Sequence, residues 1–320
     1  MVRVVVKKEE AGRTLEKYLQ KIAPLMPRSL TYKLFRKKDV KVNGHWQDNK
    51  YVVNEGDEVT IYIDQAQFDG YINDENYHPN DYIKDFIIFE DENVLIINKP
   101  RGILVQGDKS GDKPLDKMVI EYLLFKGEYP EGTSSFECGP AHRLDRNTSG
   151  IIVFGKNNAV LRELTGVLKD HKLIEKHYEC LVLGQISDSG EVNAPLKKDE
   201  STNMVYVTPI KEGGKDALTI YKPVRNYQDF TLVDIELVTG RTHQIRVHMA
   251  SIKHPVIGDN KYGNFELNHE FNRFYNFRNQ FLHAKSLTFK ELDGPLAYLS
   301  NKTFIAEMPK EYLNILETLK

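Results

Sequence analysis

The densest run of potentially reactive side chains in this 320-residue sequence is residues 142–150, His-Arg-Leu-Asp-Arg-Asn-Thr-Ser-Gly, directly before the apolar run 151–154. Its single carboxylate is Asp145. An aspartate in a cleft can act as a nucleophile or a base when neighbouring cations keep it ionised, and Arg143 and Arg146 are candidates for that task. A loop aspartate more commonly caps its own backbone. The segment alone leaves both interpretations open.

Three histidines could also take part in chemistry. His142 begins this run, and His243 and His248 lie in residues 240–248. Histidine is a common metal ligand, so a metal-dependent hydrolase is one function to weigh. The spacing argues against it, because positions 243 and 248 are five residues apart and no glutamate completes a His-Glu-x-x-His pattern. Neither Cys138 nor Cys180 is placed to complete a ligand set. We therefore predict no metal site and interpret the histidines as hydrogen-bonded residues of strands or loops.

Segment 142–150 contains all seven fixed positions of His-Arg-Leu-Asp-x-x-Thr-Ser-Gly and so resembles the active-site motif of the RluA-type pseudouridine synthases. These enzymes isomerise uridines in RNA. Further segments match the family's other motifs in the family's order, and the resemblance covers residues 86 to 310. The matching segments are Asn98-Lys-Pro-x-Gly102, Lys176-x-Tyr178, 240–248 (Gly-Arg-Thr-His-Gln-Ile-Arg-Val-His), 254–263 (His-Pro-Val-Ile-Gly-Asp-Asn-Lys-Tyr-Gly) and 282–284 (Leu-His-Ala).

The resemblance implies roles for individual residues. Asp145 would be the catalytic aspartate, and Arg246 would pair with it. Tyr178 would stack on the target uracil and relay the proton lost from its C5. Arg143 would enter the RNA stack where the uridine is flipped out, the alternative being an ordinary salt bridge. The other implied substrate-binding positions are His142, Leu144, Lys176 and Ile245. No metal, nucleotide or other cofactor, and no guide RNA, is implied.

These segments need a scaffold that brings them together, and the apolar pattern after residue 84 predicts one. The apolar runs are short and strand-like, with helical spacing only between some of them. Because the regular strand and helix alternation of a doubly wound fold is missing, we predict an α+β fold with a mixed, largely antiparallel central sheet and flanking helices. The resemblance implies that this is the pseudouridine synthase fold. The predicted strands are 86–89, 94–97, 151–154, 178–183 and 230–237, and the predicted helices are 115–125 and 159–168.

A separate small domain is predicted ahead of this scaffold. Residues 13–22 have helical spacing, a second helix follows from Ser29, a plausible N-cap, to Lys37, and a hairpin turns at Asn43-Gly44. This order resembles the S4 RNA-binding domain over residues 12–64. The resemblance implies a phosphate-contacting face, although each lysine alone could be an ordinary solvated side chain. Its members would be Arg28, Lys33, Arg36, Lys37 and Lys38. We predict domains at 1–64 and 84–320 joined by a linker at 65–83.

The charge is unevenly distributed along the chain, although the net charge is only -2. Residues 1–50 hold 13 Lys and Arg against 5 Asp and Glu, whereas residues 51–92 hold 12 acidic residues against one lysine. A basic module that grips RNA and an acidic connector would produce this pattern, as would a solvated charged face. The start of the chain lacks a signal-peptide core, and the apolar runs are too short to cross a bilayer. With two isolated cysteines, these features predict a cytoplasmic protein without membrane contact.

The first hypothesis is therefore a stand-alone, monomeric pseudouridine synthase acting on structured RNA. Large-subunit (23S) ribosomal RNA is the expected target, and transfer RNA is the second. The alternative from a different class is an RNA-binding or ribosome-assembly factor with idle catalytic residues. Intact Asp145, Tyr178 and Arg246 argue against it. Residues 264–280, rich in Asn and aromatics, depart from the shorter basic segment expected here, which leaves base stacking and packing at the domain edge both open.

Overall fold

A computed structural model describes residues 1–23, 26–69, 71, 78–108, 110–129 and 137–319. The chain forms two compact units. One contains Met1–His78 and Lys126–Glu137, and the other contains Pro79–Phe125 and Cys138–Lys320. The domain boundaries expected from the sequence, at residues 64 and 84, remain a prediction. That prediction assigned residues 126–137 to the second domain, whereas here they belong to the first unit.

The first unit is a four-stranded antiparallel sheet packed on helices. The sheet order is β1-β4-β2-β3. Its elements are β1 (Val2–Val5), a 3₁₀ helix (Lys8–Glu10), α1 (Leu15–Ile22), α2 (Arg28–Lys37), β2 (Val40–Val42), β3 (His45–Trp46), β4 (Glu58–Ile61) and α3 (Gln65–Asp69). Apolar residues of α1 and α2 meet the buried valines of the strands in one core. The helices therefore cover one face of this sheet.

Two details of the first unit differ from the expectations. The second helix begins at Arg28 after Pro27, so Ser29 is in the first turn and is not the N-cap. Proline suits a helix start because its φ is already helical and it has no N–H to leave unpaired. Helix α3 lies in the stretch predicted to be an irregular linker, and its Phe68 is buried in the core of the unit.

The second unit is built on one ten-stranded sheet with flanking helices. Its main path runs β10-β13-β14-β9-β15-β8-β6-β5, with β16 on β15 and β7 on β8. The strands are β5 (Ile87–Glu90), β6 (Val94–Lys99), β7 (Gly139–Pro140), β8 (Ser149–Gly155), β9 (Ile174–Leu183), β10 (Gly190–Asn193), β13 (Leu218–Asn226), β14 (Phe230–Leu237), β15 (Leu282–Phe289) and β16 (Thr303–Ile305); β11 (Leu196–Asp199) and β12 (Met204–Val207) form a separate hairpin. The helices are α4 (Leu115–Phe125), α5 (Asn158–Val167), α6 (Gln244–Ser251), α7 (Phe265–Tyr275) and α8 (Lys310–Thr318).

Antiparallel pairing dominates this sheet, and β15 with β8 is the parallel pair within the described residues. The predicted α+β class with a mixed, largely antiparallel sheet is confirmed. Helix α6 packs on the sheet through Ile245 and Met249, which share a buried cluster with Tyr178 of β9 and Val233 of β14. This packing brings α6 next to the strand that carries Tyr178.

The segment 264–280 divides between packing and exposure. Phe271 and Phe277 are buried in a cluster of aromatic rings with Phe281 and Tyr312. Phe265, by contrast, is 80% exposed. Packing at the domain edge therefore accounts for the inward side of α7. None of the helices in the described part of the chain has the length and apolar character needed to cross a bilayer.

Candidate active site

The loop that carries Asp145 is fixed where β8 begins. Thr148 donates its backbone N–H to the carbonyl of Asp145, at 3.1 Å. Gly150 has φ of +109°, and a Cβ there would lie 2.2 Å from the carbonyl oxygen of Ala284 on the parallel strand β15. Only glycine allows this close strand contact. The Thr-Ser-Gly and Leu-His-Ala segments thus meet, and Ser149 Oγ lies 2.9 Å from His283 Nδ1.

Asp145, Arg246 of α6 and Asp259 form an ion network, in which Arg246 lies between the two carboxylates. Arg246 Nη1 donates to Asp145 Oδ2 at 2.7 Å, while its Nε and Nη2 donate to the two oxygens of Asp259 at 2.6 and 2.8 Å. The side chain of Asp145 is 28% exposed, whereas that of Asp259 is fully buried. Asp145 is therefore the carboxylate of the network that a substrate can reach.

Charge pairing keeps Arg246 and Asp259 ionised despite their burial. Burial opposes the charge of Arg246, but the hydrogen bonds and charges of Asp259 and Asp145 outweigh it and raise the pKa of the guanidinium. Burial likewise works against the charge of Asp259, and its bonds from Arg246 and from the backbone N–H groups of Lys261 and Tyr262 hold the pKa of Asp259 below the usual value. One guanidinium thus serves two carboxylates.

Tyr178 lies on β9 beside this network and is only 7% exposed. Leu144, the neighbour of Asp145, packs against the same buried cluster, as does Ile245. Burial and the charge of Asp145 raise the pKa of the Tyr178 hydroxyl well above its usual range. The hydroxyl is therefore protonated at neutral pH, and it can accept a proton only as it gives up its own.

His243 and Tyr262 line the other side of the ion network. His243 directly precedes α6, in a left-handed conformation with φ of 53°, and its Nε2 lies 3.8 Å from Asp145 Oδ2. Its Nδ1 lies 2.8 Å from the Tyr262 oxygen, which also accepts the Val205 N–H. Burial lowers the pKa of His243, so the ring is neutral at pH 7. The centre of the Tyr262 ring is 5.2 Å from the Arg246 guanidinium carbon.

Arg143 and Arg146 were the neighbours in sequence proposed to act on Asp145, but the arginine that contacts Asp145 in the structure is Arg246. Arg146 turns away and binds Asp112 and Ser110 through its Nη atoms at 2.5 and 2.8 Å. Arg143 is exposed and pairs with no residue in the part of the chain that the structure describes. It is therefore an exposed cation two residues from Asp145.

Lys99, in the Asn-Lys-Pro-x-Gly segment, is a buried cation behind the loop. Its Nζ donates to the carbonyls of Pro100, Ile103 and Arg146 at 3.0, 2.9 and 3.0 Å. Burial lowers the pKa of Lys99 to about 7, yet three acceptors match the three hydrogens of an ammonium group. Geometry thus favours the charged form, and the bond to the Arg146 carbonyl ties the Asn98–Gly102 segment to the loop that carries Asp145.

His142 and Lys176, two further residues implied to bind substrate, form hydrogen bonds with the protein backbone. His142 Nε2 accepts the Val153 N–H at 3.2 Å, and burial lowers the pKa of His142 to about 3. Lys176 Nζ donates to the Leu168 carbonyl at 3.2 Å. Neither of these contacts reaches Asp145. Their assignment as substrate-binding residues stays a prediction.

One of the three histidines that were predicted to lie on strands or loops lies in a helix instead. His248 lies inside helix α6, where its ring bonds Thr219 Oγ1 and the carbonyl of Ala194, both at 2.9 Å. Within the described residues, no group of three or more His, Cys, Asp and Glu side chains is arranged to hold a metal ion.

Asp259 contacts Arg246, although the sequence predicted no role for it. It lies in segment 254–263, but nothing in its spacing linked it to Arg246. A usable signal was the chemistry of arginine, because a buried guanidinium carries five N–H donors and one carboxylate cannot satisfy them all.

Comparison with known proteins identifies the family of the chain. A sequence model for RNA pseudouridylate synthases matches residues 93–251. An uncharacterised RNA pseudouridine synthase of Mycoplasma genitalium is 32% identical over 91% of this chain and 90% of its own length. Ribosomal large subunit pseudouridine synthase C of Escherichia coli K12 is 33% identical over 89% of this chain and 88% of its own length. The corresponding protein of Haemophilus influenzae is 34% identical over 90% and 86%.

Solved structures show the same fold at low sequence identity. Human RNA pseudouridylate synthase domain containing 4 superposes with a TM-score of 0.57, at 20% identity, over 75% of this chain and 95% of the human chain. This likeness confirms the expected fold for the larger part of the sequence.

Proposed function

The chain belongs to the RNA pseudouridylate synthase family, and we propose that it isomerises specific uridines of large-subunit ribosomal RNA to pseudouridine. The names of its relatives in Escherichia coli and Haemophilus influenzae support that target. The observation that carries the proposal is the Asp145–Arg246 pair, at 2.7 Å, with Tyr178 beside it. A transfer RNA target is the second candidate for the substrate. Action on ribosomal RNA would place the protein in the cytoplasm.

The isomerisation exchanges one bond to the sugar for another. The bond from uracil N1 to ribose C1′ breaks, the ring turns, and C5 bonds to C1′. One proton leaves C5 and one is added to N1, so the product is an isomer of the substrate and the reaction consumes no water and no oxidant. Bond breaking leaves an electron-poor C1′ and an anionic uracil, which call for a carboxylate on the sugar side and for positive charge nearby. Asp145 and Arg246 supply these two features.

The geometry suggests which oxygen of Asp145 acts. Arg246 Nη1 binds Oδ2, and Oδ1 has no partner in the part of the chain that the structure describes. Because the side chain is partly exposed, Oδ1 is the atom that can approach C1′. Tyr178, held protonated by its raised pKa, would take the C5 proton only while passing its own on, as a relay requires.

Two further groups of cations would bind the RNA. Arg143 is exposed beside the loop, so its planar guanidinium can enter the stack left by a flipped uridine. On the first unit, the residues expected to contact phosphates are all exposed on or directly after α2. They are Arg28, Lys33, Arg36, Lys37 and Lys38. Exposure fits the predicted S4-like role, which we propose for this unit.

The test is to map pseudouridines in ribosomal and transfer RNA of cells that lack the protein, then to restore the wild type or Asp145→Asn. The amide keeps the size of the side chain but cannot act as a nucleophile or base. We expect the wild type alone to restore the missing sites in large-subunit RNA. Restoration by both proteins would refute the catalytic role of Asp145, and sites missing only from transfer RNA would refute the target. Full loss of RNA binding by Asp145→Asn would support a binding factor instead.

A further inference from the structure

The outer face of the sheet in the first unit carries a row of basic and aromatic side chains. Val40, Val42, Val59 and Ile61 point into the core, so alternate residues of the same strands point the other way. The strand register places Arg3, Thr60, Lys41 and Trp46 opposite one another across all four strands. This row lies on the face away from α1 and α2.

Two aromatic rings on this face are exposed, and each has a lysine close to it. Trp46 and Tyr62 are both 45% exposed. Lys38 Nζ lies 5.1 Å from the centre of the Trp46 ring, and Lys41 Nζ lies 5.0 Å from that of Tyr62. An exposed cation–π pair contributes only about 0.5–1 kcal/mol. Such pairs stabilise the fold little, which leaves two large rings facing water without a structural role that explains both.

We propose that this outer sheet face, formed by Arg3, Lys38, Lys41, Trp46 and Tyr62, binds an unpaired RNA strand. A nucleotide offers a flat base and a phosphate together, as the face offers rings and cations together. Strand β2 lies between them, and Tyr62 is two positions beyond Thr60, the residue in the row of Trp46. Two strand spacings and this offset place the backbones of Trp46 and Tyr62 about 12 Å apart. That separation suits two bases of an extended strand and is too wide for two bases stacked on each other. Duplex RNA hides its base faces and would not fit.

An apolar protein partner fits this face less well. Such a partner would have to desolvate Lys38 and Lys41 without offering them an acceptor. Two acidic residues lie near this face: the Glu58 carboxylate is 3.9 Å from Arg3, and Asp39, which precedes Lys41 by two positions, accepts the Tyr62 N–H through its carbonyl. The three cations of the face therefore outnumber the nearby carboxylates. The inference rests on the proposed function for the RNA. The outer sheet face shares Lys38, the residue directly after α2, with the phosphate-contacting set proposed on that helix, and its other members lie on the strands or next to them.

The chain's single tryptophan makes the test direct, because its fluorescence reports on Trp46 alone. The full-length protein would be titrated with an oligouridylate of about eight nucleotides, within the usual site size, and with a duplex carrying as many phosphates. We expect quenching by the single strand and little by the duplex. Because the variants lack tryptophan, their affinities would be measured by the fluorescence anisotropy of a dye-labelled oligouridylate, with the wild type measured in the same way. Trp46→Ala should weaken binding about 5- to 150-fold, the effect of losing one stacked base, and Trp46→Tyr should restore most of it. Circular dichroism checks that the variants fold.

A second measurement separates this face from helix α2. Lys38→Gln with Lys41→Gln should reduce the slope of log affinity against log salt by about 1.4, at roughly 0.7 per phosphate contact on a single strand. The matched pair Lys33→Gln with Arg36→Gln should leave Trp46 quenching in the saturated complex unchanged. Equal quenching by strand and duplex, or wild-type affinity of Trp46→Ala, would overturn the inference. So would dimerisation through Trp46 without quenching by RNA, which would indicate a second copy.

The same protein would be assayed for pseudouridine formation on ribosomal RNA. Pseudouridine formation without Trp46 quenching refutes the stacking surface and leaves the proposed function standing. Quenching without pseudouridine formation refutes the proposed function and leaves this face as an RNA-binding surface.

Discussion

Asp259→Asn is the substitution that most directly tests how Arg246 is held. Asp259 accepts Nε and Nη2 of Arg246 at 2.6 and 2.8 Å and the backbone N–H of Lys261 at 2.8 Å. Asparagine keeps one oxygen but turns an NH₂ group toward a guanidinium N–H, so a charge-assisted bond becomes a donor–donor contact. Losing one partner of a buried ion pair costs about 3–5 kcal/mol. With one oxygen retained, we expect a loss near 3 kcal/mol.

Two measurements follow from that magnitude. At about 2–4 °C for each kcal/mol in a unit of this size, Tm should fall by about 6–12 °C. Displacement of a catalytic group by about 1 Å costs roughly 100-fold in rate, so the single-turnover rate should fall by about that factor while RNA affinity changes little. Release of tritium from C5-labelled uridine in RNA measures the rate, because the C5 proton leaves during the reaction.

Asp234→Asn is the matched control for this experiment. Asp234 is also a carboxylate of the second unit, it is 25% exposed, and it pairs with His177 outside the ion network. We expect Asp234→Asn to keep the wild-type rate and to lose at most about 1 kcal/mol, as partly exposed pairs do. A wild-type rate in Asp259→Asn below its Tm would show that Arg246 is not positioned by Asp259.

Tyr178→Phe keeps the buried ring and removes the hydroxyl, so RNA affinity should be unchanged while turnover falls at least about 100-fold, the usual contribution of proton transfer; unchanged tritium release would remove the relay role. His177 should give a pH-dependent stability difference, because its hydrogen bond to Asp234 helps to raise the pKa of His177 to about 9. A raised pKa stabilises the fold fully below about pH 6.5 and loses that effect as pH rises through 9. The free energy of unfolding of wild type and His177→Gln should therefore converge above pH 9, and a constant gap from pH 6 to 10 would contradict this.

The parts of the fold that were predictable are those with a clear local pattern. Helix Leu115–Phe125 and strand Phe230–Leu237 have the bounds that their apolar runs indicated. Helix α6 gave no such signal, because Gln244 to Met249 are six consecutive buried residues and show no polar face. The histidines of that segment were therefore expected on strands or loops. Short α3, in an acidic stretch, is held by the burial of Phe68, which its local sequence does not indicate.

In the site, too, contacts between residues far apart in sequence could not be predicted from local patterns. From sequence neighbours alone, the predicted partners of Asp145 were Arg143 and Arg146. The actual partner, Arg246, is 101 positions away. Only the family resemblance linked the two. The partner of Arg246 itself, Asp259, was missed because a contact formed by packing α6 against a loop leaves no trace in local spacing.

Arg246 donates two hydrogen bonds to Asp259 and one to Asp145, and this unequal distribution gives the second carboxylate a purpose. Arginine prefers to bind a carboxylate with two parallel hydrogen bonds, which would occupy both oxygens of Asp145 and leave none to meet a substrate. Asp259 takes that two-bond position through Nε and Nη2, so only Nη1 remains for Asp145. Two carboxylates against one guanidinium leave one negative charge in excess, and the exposed member, Asp145, is where a substrate can meet it. Removing Asp259 would therefore allow Arg246 to turn onto both oxygens of Asp145, so that even a stably folded Asp259 variant should react slowly.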